Sequence, residues 1–180
     1  MTTLKVGIVG FGRFGRFWGK TLKNVCQVHV YDKDSSLEQV ATSLNLTFDT
    51  LETLCTKVDY IFLCVPINQL ESSIQQILPL VHPRISIIDT CSVKVYPAQI
   101  LDKYFSQQNE ISLILTHPMF GPDSGAVSIS GLPVVFWPLR TVGDAAMRIR
   151  ELFLFLGLRV VDMSPEEHSI LYLNKCFFKI

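Results

Sequence analysis

The chain has 180 residues, 48% of them hydrophobic, with sixteen basic and sixteen acidic side chains and a formal net charge of zero. That length holds one full α/β domain and leaves little for a second. The balanced charge gives no bulk attraction to nucleic acid or to an anionic membrane surface, and no apolar run reaches the roughly 18–20 residues that a membrane span needs. In chain order, a short apolar, β-branched run followed by a helical segment then recurs several times. Residues 5–9 (KVGIV) read as the first strand and 14–23 as a helix after a glycine turn. Residues 27–31 (QVHVY) form the second strand, with a helix over 36–44, a short strand at 46–48 and a brief helix at 51–55. A buried strand over 59–65 (DYIFLCV) precedes a helix over 68–80, and a strand over 85–89 (ISIID) precedes a helix near 97–105. Residues 112–116 (SLILT) then deliver His117 onto a Pro- and Gly-rich loop running to about residue 132. Beyond it lie a strand at 132–137, a helix at 143–156 and a last strand at 159–162.

Continuous apolar strands separated by helices imply a mostly parallel sheet covered on both faces. Right-handed crossovers make this a doubly wound, Rossmann-type α/β fold. The nucleotide domain is expected over residues 1–164, with 165–180 as the start of a truncated or divergent helical segment. Cys26, Cys55, Cys64, Cys91 and Cys176 are odd in number and contain no C-x-x-C pair. They read as buried, reduced thiols, and no metal site is expected. Residues 1–5 contain no basic segment leading into an apolar one, so the expected compartment is cytoplasmic.

Gly10-Phe11-Gly12-Arg13-Phe14-Gly15 fits G-x-G-x-x-G directly after a strand and at the start of a helix. The first glycine permits the tight turn, the second lets backbone approach a pyrophosphate, and the third lets helix and strand pack closely. The helix N-terminus offers N–H groups and partial positive charge to phosphates. Asp32 closes the second strand about 20 residues on, where a carboxylate binds ribose hydroxyls. It repels a 2′-phosphate, so NAD is favoured, while the neighbouring Lys33 keeps NADP open. Val65 and Pro66 end the next long strand and lie along the cofactor in the usual geometry, although Pro66 is equally explained as a helix starter.

Asp89-Thr90-Cys91-Ser92-Val93-Lys94 ends a strand and begins a helix. Ligands in open α/β sheets sit beyond the carboxyl ends of strands, which places Ser92 to present a hydroxyl near a nicotinamide or else to cap a helix. Lys94 reads as a solvated first-turn lysine in preference to a substrate contact. His117 reaches the same edge, and an imidazole with a pKa near 6.5 is suited to general-base work. Catalysis and an ordinary loop histidine both remain open on the residues alone. His29 and His82 read as structural.

The three segments G-F-G-R-F-G, D-T-C-S-V-K and H-P-M-F-G-P-D-S-G, in this order and spacing, resemble the prephenate/arogenate dehydrogenase family of tyrosine biosynthesis. The resemblance runs from about residue 5 through Met163-Ser164-Pro165-Glu166-Glu167-His168, and the H-P-M-F-G-P wording is most similar to arogenate-type and plant-like members. It implies an NAD- or NADP-dependent oxidative decarboxylation of arogenate or prephenate. His117 would take the hydroxyl proton as hydride leaves for the nicotinamide, and Ser92 would hydrogen-bond around the hydroxyl, the histidine and the nicotinamide. Asp123 stands where some members carry an acid at the pocket mouth. The resemblance implies neither a nucleic-acid nor a membrane partner, and leaves a homodimer open.

Family members continue for another hundred residues or more into a helical dimerisation domain with further substrate-binding groups. The segment from Ser169 to Ile180 does not read as the start of the expected next helix, and its apolar residues would be exposed on a monomer. The chain is therefore expected to bind NAD(P) but to turn over slowly or not at all. Two competing readings are an NAD(P)-binding sensor or interaction module without turnover, and another dehydrogenase of this architecture, of the β-hydroxyacid or pyrroline-carboxylate type. The second of these lacks the His117 segment.

Overall fold

The computed structural model describes residues 3–177, with side chains described through Leu171. Eight strands form one sheet in the order β3-β2-β1-β4-β5-β6-β7-β8. These are β1 (Leu4–Val9), β2 (Cys26–Tyr31), β3 (Thr47–Phe48), β4 (Tyr60–Leu63), β5 (Ser86–Asp89), β6 (Ser112–Pro118), β7 (Pro133–Arg140) and β8 (Arg159–Asp162). Every neighbouring pair is parallel except β6 with β7. The first six strands follow the doubly wound order, which reverses direction between β1 and β4 and leaves a crevice at their carboxyl ends.

The helices are α1 (Arg13–Leu22), α2 (Glu38–Ser43), α3 (Leu51–Lys57), α4 (Ile67–Ile77), α5 (Val95–Phe105), α6 (Ala145–Phe155) and α7 (Pro165–Phe177), with a 3-10 turn at Ser35–Leu37 before α2. Alternate residues along each strand enter opposite faces of the sheet. On one face Ile8, Val30, Phe62, Ile114 and Phe136 pack with Trp18 of α1 and Phe153 of α6. On the other, Ile61, Leu63, Ile87, Leu113 and Leu115 pack with Leu54 of α3, Leu70 of α4 and Leu101 of α5. Burial of both faces is why these strands read as unbroken apolar runs. No helix among the described residues is long and apolar enough to cross a membrane.

Two expectations change here. The ladder of β6 does not stop at Thr116: His117 pairs with Val135 and Pro118 with Val134 of the antiparallel β7, and all seven residues of β6 are buried. The eight-residue β7 is long enough to extend the pairing past the apolar run, so His117 lies in a strand and the loop begins at Met119. The segment after residue 164 is also helical, through Phe177. Its start is well specified: Ser164 Oγ accepts from the Glu167 amide at 3.2 Å, Glu167 Oε2 accepts from the Ser164 amide at 2.8 Å, and Pro165 occupies the first helical position. Ile170 and Leu171 are exposed, while the side chains beyond them, Cys176 included, lie outside the described residues.

Candidate active site

The glycine loop takes its shape from three close approaches. Gly10 adopts φ +94°, and its amide donates to the Tyr31 carbonyl at 2.9 Å. A β-carbon there would meet the Cys64 carbonyl oxygen at 2.7 Å, so the turn presses against the end of β4. A β-carbon on Gly15 would lie 2.0 Å from the Gly10 carbonyl oxygen, which is the close packing of helix on turn expected for the third glycine. Gly12 differs, because a β-carbon there would enter open space. Gly12 is the N-cap of α1, has no side chain to cap the helix, and opens its first turn to a cleft of about 640 Å³.

That cleft is lined by Gly10, Gly12, Arg13, Phe14, Asp32, Val65 and Pro66 among others. Phe11 and Gly15, the remaining residues of the motif, do not line it. The Phe11 side chain is fully buried in the core, and its amide donates to Asp32 Oδ2 at 2.7 Å. Asp32 Oδ1 accepts from the Asp34 amide at 3.0 Å. A carboxylate has about four acceptor positions, so two remain for ribose hydroxyls. The open face at Gly12, the uncapped first turn of α1 and the spare acceptors of Asp32 together fit a dinucleotide. A second hollow of about 650 Å³ continues past Asp32 and Lys33 between Tyr31, Phe48 and Leu51, on the side where the base of an adenosine would lie.

Phe14 is the shared wall between this cleft and a cavity of about 440 Å³. Thr90, Ser92, His117, Pro118, Met119 and Ser124 line the cavity, so Ser92 and His117 do come together. Ser92 is exposed and lies ahead of α5, whose N-cap position is Lys94, and no hydrogen bond ties Ser92 to the helix. The loop over residues 119–132 closes one side of the cavity and is anchored on α1. Phe120 packs on Phe17 and Trp18, with ring centroids 6.2 and 6.3 Å apart.

Asp123 is at the loop surface, where both its oxygens accept from the Arg13 guanidinium at 2.9 and 3.0 Å. Ser124, rather than Asp123, lines the cavity. This pair is largely exposed, so its contribution to stability is small.

Lys94 is not a solvated lysine. It is 1% exposed, and its Nζ donates to the buried Asp89 carboxylate and, at 2.5 Å, to the Thr116 carbonyl. Asp89 Oδ1 also accepts from the Cys91 amide at 2.9 Å, and Thr116 Oγ1 donates to the Asp89 carbonyl at 2.6 Å. Burial pushes the Asp89 carboxyl above the ordinary carboxylate range, against the pull of Lys94. This network bridges the ends of β5 and β6 directly behind the cavity.

His117 Nδ1 lies 2.9 Å from Nε2 of His168, which is 3% exposed and one turn into α7. The rings meet edge to face with centroids 5.1 Å apart. Burial, then the Lys94 cation, then His168 lower the His117 pKa to about 4. Burial and Lys94 also lower that of His168. At neutral pH both rings are therefore uncharged, and His117 holds the form that accepts a proton. Burial raises the Cys64 and Cys91 thiols well above their ordinary value, which excludes thiolate chemistry there.

His168 is a site neighbour that the sequence alone does not mark, although the S-P-E-E-H segment carries a readable signal in its helix start. The other two histidines are engaged elsewhere. His29 pairs with Asp49 at 2.5 Å, and His82 bonds backbone carbonyls.

The family model of the prephenate dehydrogenase nucleotide-binding domain matches residues 18–161. The chain belongs to this family. It is 36% identical over 178 residues to arogenate dehydrogenase 2, chloroplastic, of Arabidopsis thaliana, covering 93% of this chain and 49% of that protein. It is 29% identical to cyclohexadienyl dehydrogenase of Zymomonas mobilis, covering 94% and 61%. The chain thus spans about half to three fifths of the length of these two relatives. The crystal structure of Synechocystis arogenate dehydrogenase superposes with a TM-score of 0.76 at 22% identity, over 92% of this chain and 61% of that one. Prephenate dehydrogenase from Aquifex aeolicus, in complex with hydroxyphenyl propionate and NAD+, superposes with a TM-score of 0.77 at 18% identity, over 96% and 64%. Both structures share the fold.

Proposed function

We propose that this chain carries the nucleotide site and the proton acceptor of an NAD(P)-dependent dehydrogenase that oxidatively decarboxylates arogenate or prephenate. The observation that supports it most is a neutral, buried imidazole in a cavity that shares the Phe14 wall with the dinucleotide cleft. A bound nicotinamide supplies the hydride acceptor. Gly12 and the first turn of α1 hold the pyrophosphate, Asp32 holds the ribose hydroxyls, and Val65 and Pro66 flank the path toward the cavity. Asp32 sets NAD ahead of NADP by repulsion of a 2′-phosphate. His117 takes the ring hydroxyl proton, and Ser92, which lines the same cavity, hydrogen-bonds around that hydroxyl. Loss of CO2 from the resulting keto acid aromatises the ring and makes the step effectively irreversible.

The test is a spectrophotometric NAD(P)H assay with arogenate and prephenate, alongside titration of NAD+ and NADP+. Expected are nucleotide binding and slow cofactor-dependent oxidation, below the rate of a full-length relative, that His117→Asn lowers by about 10²–10⁴-fold while sparing nucleotide affinity. Nucleotide binding with no oxidation of either compound would overturn the dehydrogenase reading and leave a binding module. Sedimentation of the same samples reads the homodimer. The compartment we propose is the cytoplasm, supported by the free thiols of Cys26, Cys55, Cys64 and Cys91. The chloroplast, the compartment of the Arabidopsis relative's name, is the competing outcome of fractionation.

A further inference from the structure

We propose that His168 is the positioning residue for His117: its Nε2 accepts the Nδ1 proton of His117 and holds that ring in the tautomer whose Nε2 receives the substrate proton. This rests on the reading of His117 as the base. With both rings neutral, the 2.9 Å contact between His117 Nδ1 and His168 Nε2 contains one proton. If His168 supplied it, His117 would carry its own proton on Nε2, the nitrogen turned from His168, and could accept nothing there. If His117 supplies it, Nε2 has a lone pair. Only the second arrangement survives the reaction unchanged. When the substrate O–H bond breaks and its proton moves to His117 Nε2, the C–H pair leaves as hydride to NAD(P)+ and the carbon–oxygen double bond forms. The imidazolium then still donates from Nδ1 to the same His168 nitrogen. In the first arrangement the new cation would face a donor, and the contact would have to break.

The surroundings favour a neutral orienting partner. Among the groups that act on the two rings is the Lys94 ammonium at the start of α5, which pairs with Asp89 at the end of β5. The Lys94 cation opposes protonation of either ring, so the pair is kept to one shared proton. A carboxylate in place of His168, as in a serine-protease triad, would raise the proton affinity of His117 and work against Lys94. The placement is built locally. The reciprocal bonds of Ser164 and Glu167 with Pro165 start α7 so that residue 168 falls on its first inward turn, and the His168 amide bonds the Ser164 carbonyl at 2.9 Å.

The test is long-range proton–nitrogen NMR of the chain labelled with ¹⁵N-histidine at pH 7, with the signals assigned by replacing His29, His82 and His168 one at a time. This reads the tautomer whether or not the chain turns over. Expected is His117 protonated on Nδ1 and bare on Nε2. His168→Gln, whose amide oxygen accepts as Nε2 does, should preserve that tautomer. His168→Leu should shift it toward the Nε2-protonated form favoured by free imidazole. If wild-type His117 carries its proton on Nε2, the proposal is overturned, and it is equally overturned if a folded His168→Leu leaves the tautomer unmoved. In the assay, His168→Leu should lower kcat on the order of 10²-fold with KM nearly constant, and His168→Gln should recover at least tenfold of that loss. A KM effect alone, with no loss of kcat, would reduce His168 to packing. Absence of turnover in the wild type speaks against the dehydrogenase reading, while the NMR still decides the histidine pair.

Discussion

The backbone amide of Phe11 donates to the carboxylate of Asp32 at 2.7 Å, tying the glycine turn after β1 to the end of β2. Asp32 therefore braces the glycine loop and, under the proposed function, also accepts from the ribose hydroxyls. Asp32→Ala should lower NAD+ affinity by at least about tenfold, since a buried donor loses its acceptor together with a ligand contact. Asp32→Asn retains one acceptor oxygen and removes the charge, so NADP+ should gain on NAD+. Calorimetric titration of both nucleotides checks the two outcomes.

The second and third glycines of the loop should separate binding from folding. Gly12→Ala places its methyl in open space, so stability to denaturant should change by less than about 0.5 kcal/mol. Nucleotide affinity should nevertheless fall, because that space is where a pyrophosphate approaches. Gly15→Ala drives a methyl to 2.0 Å from the Gly10 carbonyl oxygen and should destabilise the fold by about 1–3 kcal/mol or more. Urea unfolding beside nucleotide titration distinguishes them.

Lys94→Met leaves the Asp89 carboxylate buried without its counter-charge and removes a donor from the Thr116 carbonyl. The expected cost is about 3–5 kcal/mol. Removing both charges with Asp89→Asn/Lys94→Met should cost less than the sum of the two single changes. A double-mutant cycle on unfolding free energies measures that coupling.

The histidine pair should make the fold sensitive to mild acid. An unfolded histidine takes a proton near pH 6.5, whereas folded His117 does so only near pH 4, and His168 is depressed in the same direction. Between those values the unfolded chain binds more protons. The stability associated with a neutral His117 is thus present above about pH 6.5 and is lost as pH falls toward 4. From pH 7 to pH 5, wild type should lose on the order of 1–2 kcal/mol more than His117→Asn. Unfolding curves at the two pH values give the difference directly, since other titrating groups are common to both chains.

The central strands β4, β5 and β6 were legible because they are buried on both faces, so Ile61, Leu63, Ile87 and Ile88 leave an unbroken apolar signature. The glycine loop was legible because its residues answer to backbone geometry set within a few positions. What escaped notice depends on partners distant in sequence. His117 belongs to a strand only because Val135 pairs with it across the sheet. Lys94 is buried only because Asp89 and the Thr116 carbonyl surround its ammonium, and no hydrophobic period announces a lysine in such a place. His168 meets His117 across 51 positions, through the packing of α7 at the site, although the helix start that aims it was present in Ser164 and Glu167.

The antiparallel turn from β6 into β7 has an architectural consequence. A parallel crossover would have carried the chain away to the opposite edge of the sheet before the next strand began. Here the chain doubles back, and the segment between Pro118 and Pro133 stays at the edge where the strands end and the two clefts lie. Both stems of that segment are clamped in one ladder, and Phe120 pins its near end to α1. The outer span, where Val127 is fully exposed, is free to differ in length and composition without disturbing the register that fixes His117. His117 thus lies in the rigid part of the sheet with a variable rim beside it; under the proposed function, substrate preference could be revised in that rim without moving the proposed base.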